Sequence, residues 1–305
     1  MRRGVRRYWA PYVFISPFYI LFAIFGLFPP LFGFYLSFHR WDGLTEQVFV
    51  GLRNYELVLT DDLFWKALAN NLIIAAISTV PCLSLALGCA FLLNQRIRRF
   101  RDAYLASFFS PAVASVVAVT VVFGLLYGRE YGFINGALRL VGLPTVDWLQ
   151  EPVAMKASLA ILLVWRWLGY NTVIYLAGLQ AVPAEYYEAA RVDGATTWHL
   201  FRHVSVPLLR PTILFTTVTS TIGILQLFAE PYLLANSSGQ SAASAGFSGG
   251  AGYSLLTMTM YLYNNAFSYL KFGYASAIAY VMFVIIFVGS LLNLLVIGRR
   301  RWGEH

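Results

Sequence analysis

Long apolar runs separated by short polar segments dominate this chain. Six runs are long enough to cross a bilayer, which takes roughly 20 residues of helix; they lie at about residues 12–38, 68–94, 103–127, 155–181, 212–234 and 274–297. Prolines at positions 29, 30, 81 and 111 fall inside the first three runs and predict kinks there. The pattern therefore predicts an all-α membrane protein with six transmembrane helices.

The composition supports this fold class. Of the 305 residues, 59% are hydrophobic and 12% are charged, whereas soluble domains carry about 25% charged residues. A soluble globule with a large core is the alternative, but at this size it would need a larger charged surface. The first run follows a basic start and lacks a small-x-small cleavage site, so we expect a retained helix and not a signal peptide.

Basic residues cluster at the ends of the runs. Segments 1–11, 95–102, 182–211 and 298–305 carry fourteen Lys and Arg residues, whereas segments 39–67, 128–154 and 235–273 carry six. Because Lys and Arg accumulate in cytoplasmic loops, both termini are predicted in the cytoplasm. The clusters fit contacts with anionic lipid and not with nucleic acid. The Gly/Ser/Ala tract at 236–252 has no periodicity and is predicted to be mobile.

The polar segment 183–211 interrupts the apolar pattern on the predicted cytoplasmic side. Good helix formers follow Pro183 and end at Asp193-Gly194, since Gly can adopt the left-handed conformation that ends helices. Thr196 or Thr197 can cap a second helix that runs to about His203. We predict two short helices joined at Gly194, with an amphipathic helix resting on lipid as the alternative.

The same segment carries a resemblance. Its succession Glu188-Ala189-Ala190, Asp193-Gly194 and Val204-Ser205-Val206-Pro207 resembles the EAA loop of binding-protein-dependent ABC importer permeases. The stretches SFHRWDG, FVGLRNYELVL, YLAGLQAVPAEYYEAARVDGA and YLYNNAFSYLKFGYASAIAY are similar to carbohydrate-type members, in particular the maltose-permease-like first subunit. The chain departs from that pattern at 236–252, where the family usually has a compact Gly-Gly-Pro turn.

The resemblance implies a transmembrane permease subunit of an ATP-driven importer for a sugar, oligosaccharide or polyol. Residues 182–211 would form a coupling helix on a cytoplasmic ATPase, where Glu188 would meet a basic residue and Gly194 would permit close approach. An apolar side of the second helix would fill the ATPase cleft. The implied coupling residues are Glu188, Ala189, Ala190, Asp193, Gly194, Trp198, Phe201 and Pro207.

The family also implies a set of partners. These are a second permease subunit in a heterodimer, two copies of the ABC ATPase, which would bind ATP and Mg, and an extracytoplasmic solute-binding protein. The assembly would lie in a bacterial or archaeal plasma membrane. We divide the chain into residues 1–67, with the first helix and outer loop, and a five-helix core at 68–305.

No motif for catalysis or nucleotide binding is present. The sequence lacks GxxxxGK[ST], GxSxG and HExxH, and its four His residues are scattered without metal-ligand spacing. We therefore expect neither an enzyme nor a bound cofactor in this chain. A gradient-driven secondary transporter is the alternative function, although the paired broken helices of inverted repeats are not evident. A membrane-embedded enzyme is a further alternative, against which the missing catalytic residues argue.

Polar residues at membrane depth are the candidates for a substrate path, because ionisable groups are costly in lipid and usually face a cavity or a partner. Arg166 and Glu230 stand out, with a structural ion pair as the alternative interpretation. Arg166 could favour an anionic ligand such as a phosphorylated polyol. Interfacial anchoring or packing is the alternative for Trp165, and helix–helix hydrogen bonding is the alternative for Thr221. The full set is Trp165, Arg166, Tyr170, Asn171, Thr221, Gln226, Glu230 and Tyr280.

Overall fold

The computed structural model describes residues 9–95, 101–237 and 249–298. The basic clusters at residues 2–7, 96–99 and 299–301, and residues 238–248 of the Gly/Ser/Ala tract, lie outside the described residues. The chain divides into two compact units. One comprises residues up to Asp61 together with Leu262–Phe283, and the other comprises Asp62–Tyr261 with the residues from Val284 onward.

The first unit begins with helix α1, which is continuous through a π-helical stretch. Its three segments are Trp9–Leu21, Phe22–Leu27 and Phe28–Ser37. A two-stranded antiparallel hairpin follows, with β1 at His39–Arg40 and β2 at Val48–Phe49, and then helix α2 at Arg53–Thr60. Asn54 of α2 donates to the carbonyls of Ser37 and His39 at 2.9 Å each, which fixes the hairpin to the end of α1.

The loop of this hairpin is closed by one carboxylate. Asp42 accepts hydrogen bonds from the backbone N–H groups of Leu44 (3.0 Å) and Thr45 (2.8 Å) and from the Thr45 hydroxyl (2.7 Å). These bonds, led by the Thr45 backbone N–H, lower the pKa of Asp42 to about 2. Trp41 also closes the turn, because its indole N–H donates to the Thr45 carbonyl at 3.0 Å.

The second unit holds most of the remaining helices. Helices α3 to α7 span Asp62–Gln95, Arg101–Val113, Val116–Leu126, Phe133–Leu140 and Pro152–Gln180. Helices α8 to α11 span Ala184–Val192, Thr197–Leu208, Arg210–Leu225 and Ala229–Asn236. Helix α12 (Met258–Tyr263) continues into a π-helical stretch at Asn264–Ser268, and α13 (Phe272–Gly298) follows; both begin in one unit and end in the other.

Helix α7 is the most enclosed of the long helices and packs along α3. It also approaches α4 closely at Gly169, where an added Cβ would lie 1.6 Å from the carbonyl oxygen of Phe108. Only a residue without a side chain permits this crossing. Gly169 therefore sets the distance between α7 and the first half of the third predicted span.

Asn71 of α3 bridges two other segments of this unit from a buried position. Its side-chain amide donates to the Ile224 carbonyl at the end of α10 (2.6 Å) and accepts from the Met258 N–H at the start of α12 (2.9 Å). Adjacent Asn70 donates to the carbonyls of Tyr253 and Leu256 at 2.7 and 2.9 Å. Two amides thus bind backbone groups at or near helix ends, where regular helical hydrogen bonds run out.

Within the described residues, four helices are long and apolar enough to cross a membrane, and up to six spans result if each of two bent pairs counts as one. The span over 103–127, predicted with a kink at Pro111, is instead divided into α4 and α5, which meet at a break after Val113 with an angle of 93°. The predicted continuous helix over 212–234 is wrong, because residues 226–228 separate α10 from α11. Among the described residues, the regular elements other than the two-residue strands are helices.

Candidate functional site

The 183–211 loop contains the predicted pair of helices, and its first helix ends where the sequence indicated. Helix α8 finishes at Val192, and Gly194 takes a left-handed φ of +83°. The Gly194 N–H donates to the Arg191 carbonyl (3.0 Å) and the Ala195 N–H to the Ala190 carbonyl (2.9 Å). This pair of bonds is a Schellman motif. The predicted break at Asp193-Gly194 is confirmed.

The second helix of the loop is longer than predicted. Thr196 caps α9, because its hydroxyl accepts from the His199 N–H at 3.4 Å. The helix continues past His203 to Leu208, through a π-helical stretch in which the Val206 N–H bonds to the Phe201 carbonyl. Pro207 lies in the first turn of the α-helical segment after this stretch, where proline is tolerated because an N–H at that position would have no helical partner. The chain then bends by 70° into α10.

One side of the loop is anchored to the helical core. Tyr187, Leu200 and Leu209 are buried in a cluster with residues of α3 and α7, including Phe91 and Leu179. The Tyr187 hydroxyl and the Ser205 hydroxyl, both buried, share a hydrogen bond of 3.0 Å that joins α8 to α9. The two helices therefore form a fixed unit on the ends of α3 and α7, not a flexible tether.

The other side of the loop is exposed and mixes acidic with apolar side chains. Val192 and Trp198 are 88% and 63% exposed. Five exposed residues on this side are together referred to as the exposed face of the loop: Glu188, Ala189, Val192, Asp193 and Trp198. Three of the residues predicted for coupling, Ala190, Phe201 and Pro207, are half-buried instead, and Phe201 packs edge-on against Phe91 at 5.1 Å.

A cavity of about 540 Å³ lies among α3, α7, α10 and the break before α11. This volume is within the range of small-molecule sites, which runs from about 300 to 1,000 Å³. Its polar and aromatic lining groups are Ser78, Thr79, Cys82, Trp167, Tyr170, Asn171, Thr219, Ser220, Gln226, Phe228 and Glu230. The Trp167 and Tyr170 rings meet edge to face at 5.7 Å.

The structure brings together four of the eight residues predicted for the substrate path, namely Tyr170, Asn171, Gln226 and Glu230. Three others lie elsewhere. Trp165 packs on the Phe123 ring at 5.3 Å, Thr221 accepts from Asn293 at 2.8 Å, and Tyr280, which belongs to the other unit, donates to the Pro30 carbonyl. These three are engaged in packing or in hydrogen bonds between helices, which was the alternative interpretation for Trp165 and Thr221.

Arg166 and Glu230 form a buried ion pair beside the cavity. The distance from Arg166 Nε to Glu230 Oε1 is 3.7 Å, and each side chain is 10% exposed. Arg166 Nη2 donates to the Ala114 carbonyl at 3.1 Å, at the break between α4 and α5. The Arg166 guanidinium thus contacts both interruptions, the one between α4 and α5 and the one between α10 and α11. Arg166 is not among the residues that line the cavity.

Sequence reasoning missed the contribution of α3 to this cavity. Ser78, Thr79 and Cys82 lie within a long apolar run and look like ordinary small residues of a membrane helix. Their spacing of three to four residues places Ser78 and Cys82 on one helix face. That spacing was the available signal, although it does not say which neighbour the face meets.

Comparison with known proteins assigns the fold to a family. Residues 64–302 match the family described as binding-protein-dependent transport system inner membrane component. The chain belongs to this family. The permease resembles the lactose transport system permease protein LacF of Rhizobium radiobacter, with 34% identity over 297 residues and 96% of each chain covered. It also resembles the arabinooligosaccharides transport system permease protein AraP of Bacillus subtilis (strain 168), with 34% identity over 291 residues, 95% of this chain and 88% of the relative.

A solved structure shares the fold of the permease along its whole length. A chain from the crystal structure of a bacterial ABC transporter involved in the import of the acidic polysaccharide alginate has a TM-score of 0.82, with 98% of both chains covered and 23% identity. At this identity the likeness shows the fold alone. The family resemblance predicted from the sequence is confirmed, and the chain is a multi-pass membrane transport component and not a catalytic enzyme.

Proposed function

We propose that this permease is a transmembrane subunit of an ATP-driven sugar importer and that the 183–211 loop transmits the work of a cytoplasmic ATPase. The names of its relatives, which transport lactose and arabinooligosaccharides, support a sugar or oligosaccharide as cargo. The chain's own membership of a binding-protein-dependent family supports the importer role.

The construction of the loop is the observation that carries the proposal. Its inner side is fixed by buried Tyr187, Leu200 and Leu209, while its exposed face presents Glu188 and Trp198. A 63% exposed Trp on a rigidly anchored helix is typical of a surface that a protein partner covers. Tyr187, Leu200 and Leu209 pack against α3 and α7, which also line the cavity. A displacement of the loop by a partner bound to its exposed face would therefore move helices of the cavity wall.

The cavity suits a sugar chemically. Sugars present C–H faces to aromatic rings and hydroxyls to amides, hydroxyls and carboxylates. Trp167 and Tyr170 supply rings, and Asn171, Gln226 and Glu230 supply polar groups. We infer that the cavity forms part of the path that the sugar follows through the membrane.

The proposal includes the partners that such an importer requires. A second permease subunit would complete the membrane channel, two ATPase copies would hold ATP and Mg, and a solute-binding protein would deliver the sugar from outside. Both termini and the 183–211 loop would then lie in the cytoplasm. A solved fold neighbour was crystallised with an alginate pentasaccharide-bound periplasmic protein, which agrees with this arrangement.

Reconstitution of the transporter tests the proposal. In liposomes that contain the permease with its copurified partners, Glu188→Ala should uncouple ATP hydrolysis from sugar uptake, because it removes the exposed carboxylate on α8. Glu130→Ala, which removes another exposed carboxylate after α5, is the matched control and should leave uptake per ATP unchanged. Uptake that continues without ATP and stops with a protonophore would instead support a gradient-driven transporter.

A further inference from the structure

The cavity presents one sign of charge to its contents. Among the described residues that line it, Glu230 alone carries a formal charge. The nearby polar groups, such as Ser78, Asn171 and Gln226, are neutral. A ligand therefore meets a carboxylate in a surrounding that is otherwise apolar or uncharged.

The positive partner of Glu230 is not available to a ligand. Arg166 is absent from the lining, and its Nη2 is occupied by the Ala114 carbonyl. Its Nε and Nη1 are buried from solvent, with no hydrogen-bond partner among the described residues. The guanidinium thus faces the helix breaks, and the carboxylate faces the cavity.

We propose that the cavity selects uncharged polyhydroxyl ligands and rejects sugar acids and sugar phosphates, with Glu230 as the specificity-determining residue. Arg166 is a positioning residue that holds the carboxylate in place. This selectivity rests on the proposed function only in treating the cavity as part of the transport path. It runs opposite to the anionic ligand that the presence of an intramembrane arginine suggested.

Hydrogen-bond chemistry gives the reason for this selectivity. An ionised carboxylate accepts and cannot donate, so it binds sugar hydroxyls, which donate to it in short charge-assisted bonds. A ligand carboxylate or phosphate brings further acceptors and a like charge. In a cavity of low effective dielectric the resulting repulsion is stronger than in water. Arg166 weakens the repulsion but offers the ligand no donor.

A thiol reporter measures the charge of the cavity without knowledge of the natural cargo. We suggest Ser220→Cys in a background with Cys82→Ser and Cys89→Ser, in the assembled transporter. The rates of modification by a trimethylammonium-ethyl and a sulfonatoethyl methanethiosulfonate are compared with those of a free thiol. A negative potential of only about one kT, smaller than the several kT found at protein surfaces, would make the cationic-to-anionic ratio about sevenfold higher than for the free thiol.

Glu230→Gln should reduce this ratio towards the free-thiol value. If that variant fails to assemble, the double variant Glu230→Gln with Arg166→Gln removes both buried charges and should give the same reduction. Thr219→Cys, at a more exposed position of the lining, provides a second reporter if Ser220→Cys does not react. A wild-type ratio at or below the free-thiol value, or a ratio that Glu230→Gln leaves unchanged, would overturn the proposal.

A coupling variant separates this proposal from the proposed function. Glu188→Ala should abolish ATP-driven uptake and leave the ratio of modification rates at the Ser220→Cys reporter unchanged. If uptake is indifferent to ATP while the ratio behaves as expected, the importer mechanism fails and the charge selectivity stands. If uptake is coupled while the ratio shows no dependence on Glu230, the selectivity fails alone.

Discussion

Replacement of Gly194 can show whether this turn needs glycine for its left-handed backbone conformation or for close approach of the ATPase. The residue has a φ of +83°, and no heavy atom lies within 4 Å of an added Cβ. In the permease chain by itself, Gly194→Ala therefore meets backbone strain but no steric clash. The left-handed conformation costs an ordinary L-residue roughly 1–2 kcal/mol. That cost lowers the ratio of correctly closed to distorted loops by a factor of about 5 to 30.

Gly194→Asn distinguishes backbone strain from contact with a partner. Asn adopts the left-handed conformation more readily than Ala, so it should distort the turn less. Its side chain is larger and would project into the space that the isolated chain leaves open. If an ATPase occupies that space, Gly194→Asn should reduce uptake per ATP at least as strongly as Gly194→Ala. Both are measured in proteoliposomes as sugar transported per ATP hydrolysed.

The chain contains a matched control for the strain that a side chain adds to a left-handed backbone conformation. Gly142 has a φ of +75° and equally open surroundings, and it closes the same motif, with bonds from Gly142 N–H to the Arg139 carbonyl (3.1 Å) and from Leu143 N–H to the Leu138 carbonyl (2.9 Å). Gly142→Ala should carry the same strain and leave coupling intact. Wild-type coupling in Gly194→Asn, or an equal loss in Gly142→Ala, would refute the reasoning.

Three further predictions concern the fold. Gly169→Ala should lower the melting temperature in detergent by about 2–5 °C, as expected for overpacking of about 1–3 kcal/mol in a chain of this size, whereas Gly88→Ala, with no heavy atom within 4 Å of its Cβ, should not. Asn71→Leu should lower the free energy of unfolding by about 1–3 kcal/mol, because the buried Met258 N–H loses its partner, while the Ile224 carbonyl keeps a bond of 3.3 Å from the Leu227 N–H. Denaturant titration against Gly88→Ala measures this loss. Asp42, with its pKa lowered to about 2, should hold its loop closed from neutral pH to about pH 4 and release it as the pH falls towards 2. At pH 8, Asp42→Ala should accelerate tryptic cleavage after Arg40 relative to Glu46→Ala; equal cleavage rates would contradict the role of the carboxylate.

Hydropathy predicted the long helices well, because their apolar runs exceed the thickness of a bilayer. It could not locate the breaks. Pro111 marked a kink in the third run, but the chain turns after Val113, where the Arg166 guanidinium from another helix binds the Ala114 carbonyl. The interruption at 226–228 has no proline or glycine of its own. Both breaks depend on contacts between distant segments, which one sequence does not reveal.

The candidate site, like the helices, was predicted in part from the sequence. Arg166 and Glu230 were identified because charge is rare at membrane depth, and the structure places them 3.7 Å apart. The turn at Gly194 was predictable because its chemistry is local. By contrast, the sequence did not indicate the role of Asn71, because an amide in an apolar helix can bind many different partners. Ser78 was missed because a small polar residue in a membrane helix likewise does not show which neighbour it faces.

Cross-linking at the exposed face of the loop tests the central claim most directly. Trp198→Cys places a thiol at a 63% exposed position on α9, and Tyr131→Cys places one at a 96% exposed position after α5. In intact membranes, the Trp198→Cys thiol should cross-link to the ATPase that copurifies with the permease and should be protected from an impermeant reagent added outside. The Tyr131→Cys thiol should be modified by that external reagent and should not cross-link to the ATPase. A Trp198→Cys thiol that an external impermeant reagent modifies, or that never cross-links to the ATPase, would contradict the proposed docking.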